Sequence, residues 1–298
     1  MSRFRVVHRT AYRYAAPMTD GFTMAHVRPR STARQHVDQH SLTIDPQPDE
    51  IDEFDDVFGN HVVRFAVHRP HLDLAVEAVS EVTLADPQVY PDGPPWEDVA
   101  VAAAAERGID ASLIGAFLAG TSLTMPLPEL RVLTDAVFAP GRPIVAALSH
   151  LCQLIFSSFS YEPGFTDVTT PIAEVMQQRR GVCQDFAHVS VACLRSLGLP
   201  ARYVSGYIET LPLEGQPKLI GADASHAWCS AWVPEFGWLD FDPTNNQFPP
   251  MQHITVGWGR DYRDVAPVHG VVIGPQAGQQ LDVSVDVSRI DGDPSPTG

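Results

Sequence analysis

Residues 179–199, RRGVCQDFAHVSVACLRSLGL, limit what this chain can become more than any other stretch. Behind Gly181 comes a run that is apolar on almost every side: Val182, Phe186, Ala187, Val189, Val191, Ala192, Cys193, Leu194 and Leu197. Gly198 and Pro200 then stand where a helix stops. A helix with so little polar face belongs to a core. Cys183 opens it, where the first turn keeps free backbone N–H groups and the positive end of the helix dipole. Such an environment activates a cysteine nucleophile. A free cysteine is also commonly just a small buried hydrophobe, and this stretch alone leaves both readings open.

The 298 residues, 44% of them hydrophobic, suffice for one large or two ordinary domains. A formal net charge of -16 repels phosphate backbones and anionic lipid, so neither nucleic acid nor membrane is expected as a partner. The opening MSRFRVVHRTAYRY has no long apolar stretch and no later run approaches a membrane span, which makes the cytoplasm the expected location. Cys152, Cys183, Cys193 and Cys229 form no CxxC and no zinc spacing with histidine, so reduced thiols are expected, with no metal and no cofactor.

The first ninety residues read as β structure. Strand-like alternation covers residues 3–14, 24–28, 39–44, 51–54, 61–67 and 74–84, separated by turn chemistry such as Asp45-Pro46 and DDVFGN (residues 55–60). His8, His26, His36, His40, His61, His68 and His71 fall here at no ligand spacing and read as isolated histidines. The proline-rich DPQVYPDGPP, residues 86–95, marks a boundary. Helices are expected over 96–105, 111–119, 128–137, 143–156 and 172–178, then the helix that Cys183 opens and Gly198 stops, a strand over 201–209 and a polar loop over 211–223. Strand-like pieces return at 253–257, 270–273 and 281–287. The domains expected are thus 1–90, 91–290 with the carboxy-terminal strands, which either complete the core sheet or lie against the sandwich, and a disordered tail over 291–298.

Residues 225–246, SHAWCSAWVPEFGWLDFDPTNN, read as a hairpin. His226, Trp228, Ser230 and Trp232 share one strand face. A turn of odd length sets Trp232 opposite Trp238 and Trp228 opposite Asp242, so Asp242 becomes the diagonal neighbour of His226. Asp240 shares the face but lies one repeat further away. An even turn would separate His226 from Asp242. In chain order, Cys183 would attack an acyl carbon, His226 would pair with the thiol and protonate the leaving amine, and Asp242 would orient the imidazole. The backbone N–H of Cys183 needs a second oxyanion donor, for which Tyr161 and Gln177 are the candidates. Trp228 walls a substrate groove or is simply a buried aromatic. Asp185 reads as a cap, and His188, Cys193 and Cys229 as core.

GVCQDFAH (181–188), SHAW (225–228) and GWLDFDPTNN (237–246) together resemble the bacterial transglutaminase-like proteins of the papain-like thiol superfamily. HRTAYRY (8–14), VRPR (27–30) and FGNHV (58–62) resemble their β-rich amino-terminal region, and VGWGRDYRDVAPVHG (256–270) their carboxy-terminal segment. The resemblance implies an α+β protein, an amino-terminal antiparallel β-sandwich joined to a papain-like core of helices on an antiparallel sheet. It implies Cys183, His226 and Asp242 as the triad and a thioester route acting on a glutamine or peptide amide of a protein or peptide substrate. An amine as acceptor gives transglutamination, and water gives cysteine peptidase or amidase action. A catalytically silent protein-binding module is the reading from a different class.

Overall fold

The alternating apolar residues of the amino-terminal half form six strands: Ser2–Met18 (β1), Asp20–Ala25 (β2), Gln35–Asp45 (β3), Glu50–Asp55 (β4), His61–Val67 (β5) and His71–Leu84 (β6). The structure, a computed structural model, describes residues 1–107, 109–209, 225–248, 250, 252–275 and 278–290. Helices Trp96–Ala105 (α1), Ile109–Leu118 (α2), Arg131–Val137 (α3) and Ile144–Ser158 (α4) follow. Then come Ser160–Tyr161 (β7), Ile172–Gln178 (α5), Arg180–Gly181 (β8) and Cys183–Ser196 (α6). The rest is strand: Ala201–Ile208 (β9), Ser225–Val233 (β10), Gly237–Phe241 (β11), His253–Gly259 (β12), Val268–Ile273 (β13) and Gln279–Arg289 (β14). Residues 211–223, expected as a polar loop, and the 291–298 tail lie outside the described residues. Among the described residues no helix is long and apolar enough to cross a membrane.

Two four-stranded antiparallel sheets, β14-β1-β6-β3 and β13-β2-β5-β4, make the sandwich, and a third, β11-β10-β9-β12, makes the core sheet. Of the two placements the sequence left open for the last two strands, they take the second, as edge strands of the sandwich. β14 pairs with β1 from Phe4↔Arg289 to Tyr14↔Gln279, and β13 pairs with β2. The reason lies in β1: it needs a partner on both sides to satisfy its backbone groups, and β6 supplies only one. The strand expected over 24–28 runs earlier, because Gly21 to Ala25 pair with β5 before the chain turns toward Pro29.

β1 and β6 are long, and one face of each serves two partners. Tyr14, Met18, Leu74, Val76 and Ala78 pack inside the sandwich against Val63 and Phe65. Further along the same face, Phe4, Val6, Val82 and Leu84 pack on Tyr207, Ile254 and Val256 of the core sheet. The sandwich therefore packs on the core sheet through these three residues. Helix α6 packs on the same sheet further along, with Ala187, Val191 and Leu194 in one cluster with Ala227, Cys229 and Ala231 of β10. α6 is thus enclosed as its sequence requires, and it ends where Gly198 takes φ of 76° and its N–H bonds the Arg195 carbonyl.

Candidate active site

Cys183 is the first residue of α6, partly open to solvent at the helix's positive end. What aims it is local. Val182 is extended, and Asp185 in the first turn reaches back so that its Oδ2 accepts the Val182 N–H at 2.8 Å. The Thr166 hydroxyl donates to the same oxygen at 2.6 Å. Burial pushes the Asp185 carboxyl up, and these hydrogen bonds oppose that shift. Gly181 has to be glycine: a Cβ there would lie 2.6 Å from Asp185 Oδ2 and expel the cap. β7 pairs in parallel with β8, setting Tyr161 beside Gly181 and close to Cys183. Burial and the adjacent Cys183 push the Tyr161 phenol up.

His226 and Asp242 come together through the hairpin. Trp232 pairs with Trp238 and Val233 with Gly237, the register of the odd turn. Asp242 follows β11, where its Oδ2 accepts from His226 Nε2 at 2.8 Å. The Cys183 sulfur hydrogen-bonds the same imidazole, and Nδ1 is the nitrogen left for it. Burial alone would lower the His226 pKa; hydrogen bonds and charge from Asp242 and Cys183 outweigh it and raise the value to about 10. Burial would raise the Asp242 carboxyl, yet hydrogen bonds from His226 and His253 hold it well below the usual carboxylate range. The pair is therefore ionised at neutral pH.

Four further hydrogen bonds to Asp242 escaped the sequence reading. His253 Nε2 donates to Oδ2 at 2.8 Å and Asn245 Nδ2 donates to it at 2.7 Å. The backbone N–H groups of Thr244 and Asn245 hold Oδ1 at 2.8 and 3.3 Å. The DPTN stretch carried a signal for the last two, since an aspartate accepting N–H groups two and three residues on is the common Asx turn. His253 had none, because it arrives from β12 across the sheet. Burial lowers its pKa against the pull of Asp242, so His253 is a neutral donor beside a cationic His226. His226, Asp242 and His253 have ligand atoms within 4.8 Å of one another and could by type hold a metal. Asp242 already accepts from both rings, so the three form a closed hydrogen-bonded set.

Of the other residues singled out, Gln177 is exposed on α5. Trp228 is 0% exposed, stacked on His226 with centroids 6.2 Å apart and edge-on to His253 at 5.0 Å. The expectation that it walls a substrate groove is corrected: a fully covered ring offers no surface to a ligand, and it braces the histidines. His188 is buried, accepts the Tyr262 N–H at 3.1 Å, and is pushed down to about 3 by burial, a neutral core histidine. Cys193 and Cys229 are buried in the core and Cys152 donates its thiol to the Asp242 carbonyl at 3.1 Å.

Residues 4–83 match the bacterial transglutaminase-like N-terminal region, and residues 132–243, which span Cys183, His226 and Asp242, match the transglutaminase-like superfamily. An uncharacterized protein of Mycobacterium tuberculosis is 41% identical over 98% of this chain and 94% of its own length. The chain belongs to the transglutaminase-like superfamily. A protein-glutamine gamma-glutamyltransferase of Pseudomonas aeruginosa is 31% identical over 135 residues, 43% of this transglutaminase-like chain and 20% of that protein. A solved structure from Cytophaga hutchinsonii, described as a candidate cysteine protease, shares the fold with a TM-score of 0.74 and 21% identity over 99% of this chain and 93% of that one.

Proposed function

We propose that this protein is a cysteine acyltransferase acting through a Cys183 thioester on a glutamine carboxamide or peptide amide of a protein or peptide. One observation carries the reading: a single buried imidazole, His226, meets the cysteine at a helix N-terminus and hydrogen-bonds an ionised aspartate through Nε2. The relationship to a gamma-glutamyltransferase favours glutamine as donor.

Cys183 Sγ attacks the amide carbon. Negative charge then develops on the carbonyl oxygen, where the Cys183 N–H and the positive end of α6 face it, with the Tyr161 hydroxyl as second donor. As the C–N bond breaks, the His226 imidazolium gives its proton to the leaving nitrogen, and Asp242 keeps the ring oriented. Ammonia or an amine departs and leaves a thioester beside a neutral imidazole. An acceptor amine then attacks the thioester, passes its proton to His226, and releases Cys183 as the thiolate. Water in the amine's place makes the same site an amidase.

The test is iodoacetamide labelling at mildly acidic pH, mapped to each cysteine, in wild type and His226→Ala. Turnover of a glutamine peptide with and without a primary amine follows. Fast labelling of Cys183 alone, lost in His226→Ala, and amine incorporated into the peptide are expected. Carboxylate product despite excess amine would replace transfer by hydrolysis. Slow, equal labelling of all four cysteines with no turnover would overturn the enzymatic reading.

A further inference from the structure

Beside Cys183 the chain builds a sheet of two short strands, β7 and β8. Strands of two residues have no stability of their own, so this sheet depends on what braces it. The Ser160 N–H donates to the Arg179 carbonyl at 2.8 Å and the Glu162 N–H to the Gly181 carbonyl at 2.9 Å. Arg179, which supplies the first of these carbonyls, takes φ of 54°, a left-handed conformation uncommon for a residue with a side chain. Its guanidinium carbon lies 4.8 Å from the Phe159 ring centroid. Beyond β7, the Phe165 N–H closes a turn onto the Glu162 carbonyl at 3.3 Å, and the Arg180 guanidinium both lies over the Phe165 ring and pairs with Glu162. The small sheet is thus held at both ends.

One edge of it is left open. Successive residues of a strand turn their N–H and C=O groups to opposite edges. Ser160 and Glu162 turn theirs to β8, so Tyr161 between them turns its own pair the other way. Neither group bonds any described residue, and Tyr161 is 55% exposed. A bare strand edge is a template for another chain, which is why proteins ordinarily cover or shorten such edges. This one stands across from Gly181, two residues ahead of the nucleophile.

We propose that this edge receives the main chain of the substrate: an extended segment carrying the reacting glutamine lies along β7 as a third strand, gives one N–H to the Tyr161 carbonyl and accepts the Tyr161 N–H. The proposal rests on the acyl-transfer reading of the site and narrows its substrate class. Strand addition draws its affinity from main-chain hydrogen bonds, which any sequence can make if it is extended and accessible. A glutamine whose own main chain is tied up in a helix cannot answer both groups. The substrates are therefore glutamines in exposed, extended segments of proteins or in unfolded peptides. Tyr161 then acts on the substrate twice, its main chain holding the segment and its hydroxyl meeting the oxyanion.

The probe is a capped alanine pentapeptide whose central side chain carries a chloroacetamide where glutamine has its carboxamide. The Cys183 thiolate displaces its chloride, and the rate reports docking. The full chain is treated with this peptide, with chloroacetamide alone, and with versions of the peptide each N-methylated at a single amide, and labelling of Cys183 is followed by mass spectrometry. The peptide is expected to label Cys183 about tenfold or more faster than chloroacetamide does. N-methylation of one amide removes that gain, because its N–H is the one given to the Tyr161 carbonyl. N-methylation of the amides on either side changes the rate by less than about threefold, because their N–H groups face away. The perturbation lies in the peptide, so folding of the protein does not enter. No gain over chloroacetamide, or a gain that every methylated version keeps or every one loses, would overturn the proposal. Slow labelling of Cys183 by chloroacetamide alone faults the acyl-transfer reading instead, and the ratios among the peptides still read the edge.

Discussion

Asp242→Asn separates the charge of the carboxylate from its shape. In the wild type, Oδ2 accepts from His226, His253 and Asn245 Nδ2, while Oδ1 accepts from two backbone N–H groups. An amide has one oxygen and one NH2, so it cannot answer both sets. With its oxygen toward the histidines, its NH2 meets the Thr244 and Asn245 N–H groups. Flipped, it forces His226 to accept at Nε2 and carry its proton at Nδ1, where it can no longer take one from Cys183. Either way the anion that supplies most of the lift of His226 from 6.5 to about 10 is gone, and only Cys183 still opposes burial. A lift of that size corresponds to about 5 kcal/mol favouring the imidazolium, and since Cys183 supplies part of it, we expect roughly half to two-thirds to vanish. Labelling of Cys183 by iodoacetamide at pH 6 should fall about 100-fold or more, one pKa unit being about tenfold. Circular dichroism and the melting temperature, measured alongside, separate this effect from unfolding. A folded Asp242→Asn protein that labels within threefold of wild type across pH 5–9 would refute the reasoning, because His226 would then owe its state to something other than Asp242.

Stability should peak between about pH 6.5 and 8. His226 has a folded pKa above its unfolded value, so its contribution is complete below 6.5 and drains away toward 10. His8 and His188 are buried neutral, lowered to about 4 and 3, so their unfolded forms take up protons first and stability falls below pH 6.5. Melting temperatures across pH 4.5–9.5 check this, and a monotonic curve contradicts it. Gly206→Ala would set a Cβ 2.1 Å from the Ile254 carbonyl oxygen and 2.5 Å from the Trp228 ring, so we expect a loss of about 3 kcal/mol or more and slower Cys183 labelling as the ring that braces His226 shifts. Asp185→Ala removes the cap of α6 and should cost about 1–2 kcal/mol in denaturant titration. His253→Phe keeps the ring contacts with Trp228 but deletes a hydrogen bond to a buried carboxylate, a loss of about 1.5–3 kcal/mol by the same assay.

What the sequence made legible was whatever is encoded over short distances. The α6 boundaries follow from apolar saturation and the Gly198 stop, and the hairpin register follows from an odd turn between two tryptophans. Both bear directly on where Cys183, His226 and Asp242 stand. What stayed hidden depends on contacts between distant segments. His253 reaches Asp242 only because β12 lies beside β9, separated from it by the β10–β11 hairpin in sequence but not in space. The fate of β13 and β14 was hidden for the same reason: alternation announces a strand and says nothing about its partner. Trp228 was ambiguous since period two gives its face but not its depth.

The shared face of β1 and β6 also decides whether the transglutaminase-like core is an independent unit. Tyr207, Ile254 and Val256 of the core sheet are 2%, 0% and 4% exposed, and the residues that cover them are Phe4, Val6, Val82, Leu84, Val285 and Val287. Without residues 1–90, Tyr207, Ile254 and Val256 lose most of that cover, and β13 and β14 lose every strand they pair with. Burying a large apolar side chain is worth about 1.5–3 kcal/mol. Exposing these three therefore consumes much of the roughly 5–15 kcal/mol that holds a whole domain together. A fragment starting at residue 91 should accordingly be aggregated or molten, with a broad thermal transition and strong binding of a hydrophobic dye. A monodisperse fragment with a sharp melt and wild-type Cys183 labelling would show instead that the sandwich is an appendage, and that the burial of the Asp242–His253 pair is achieved by the core alone.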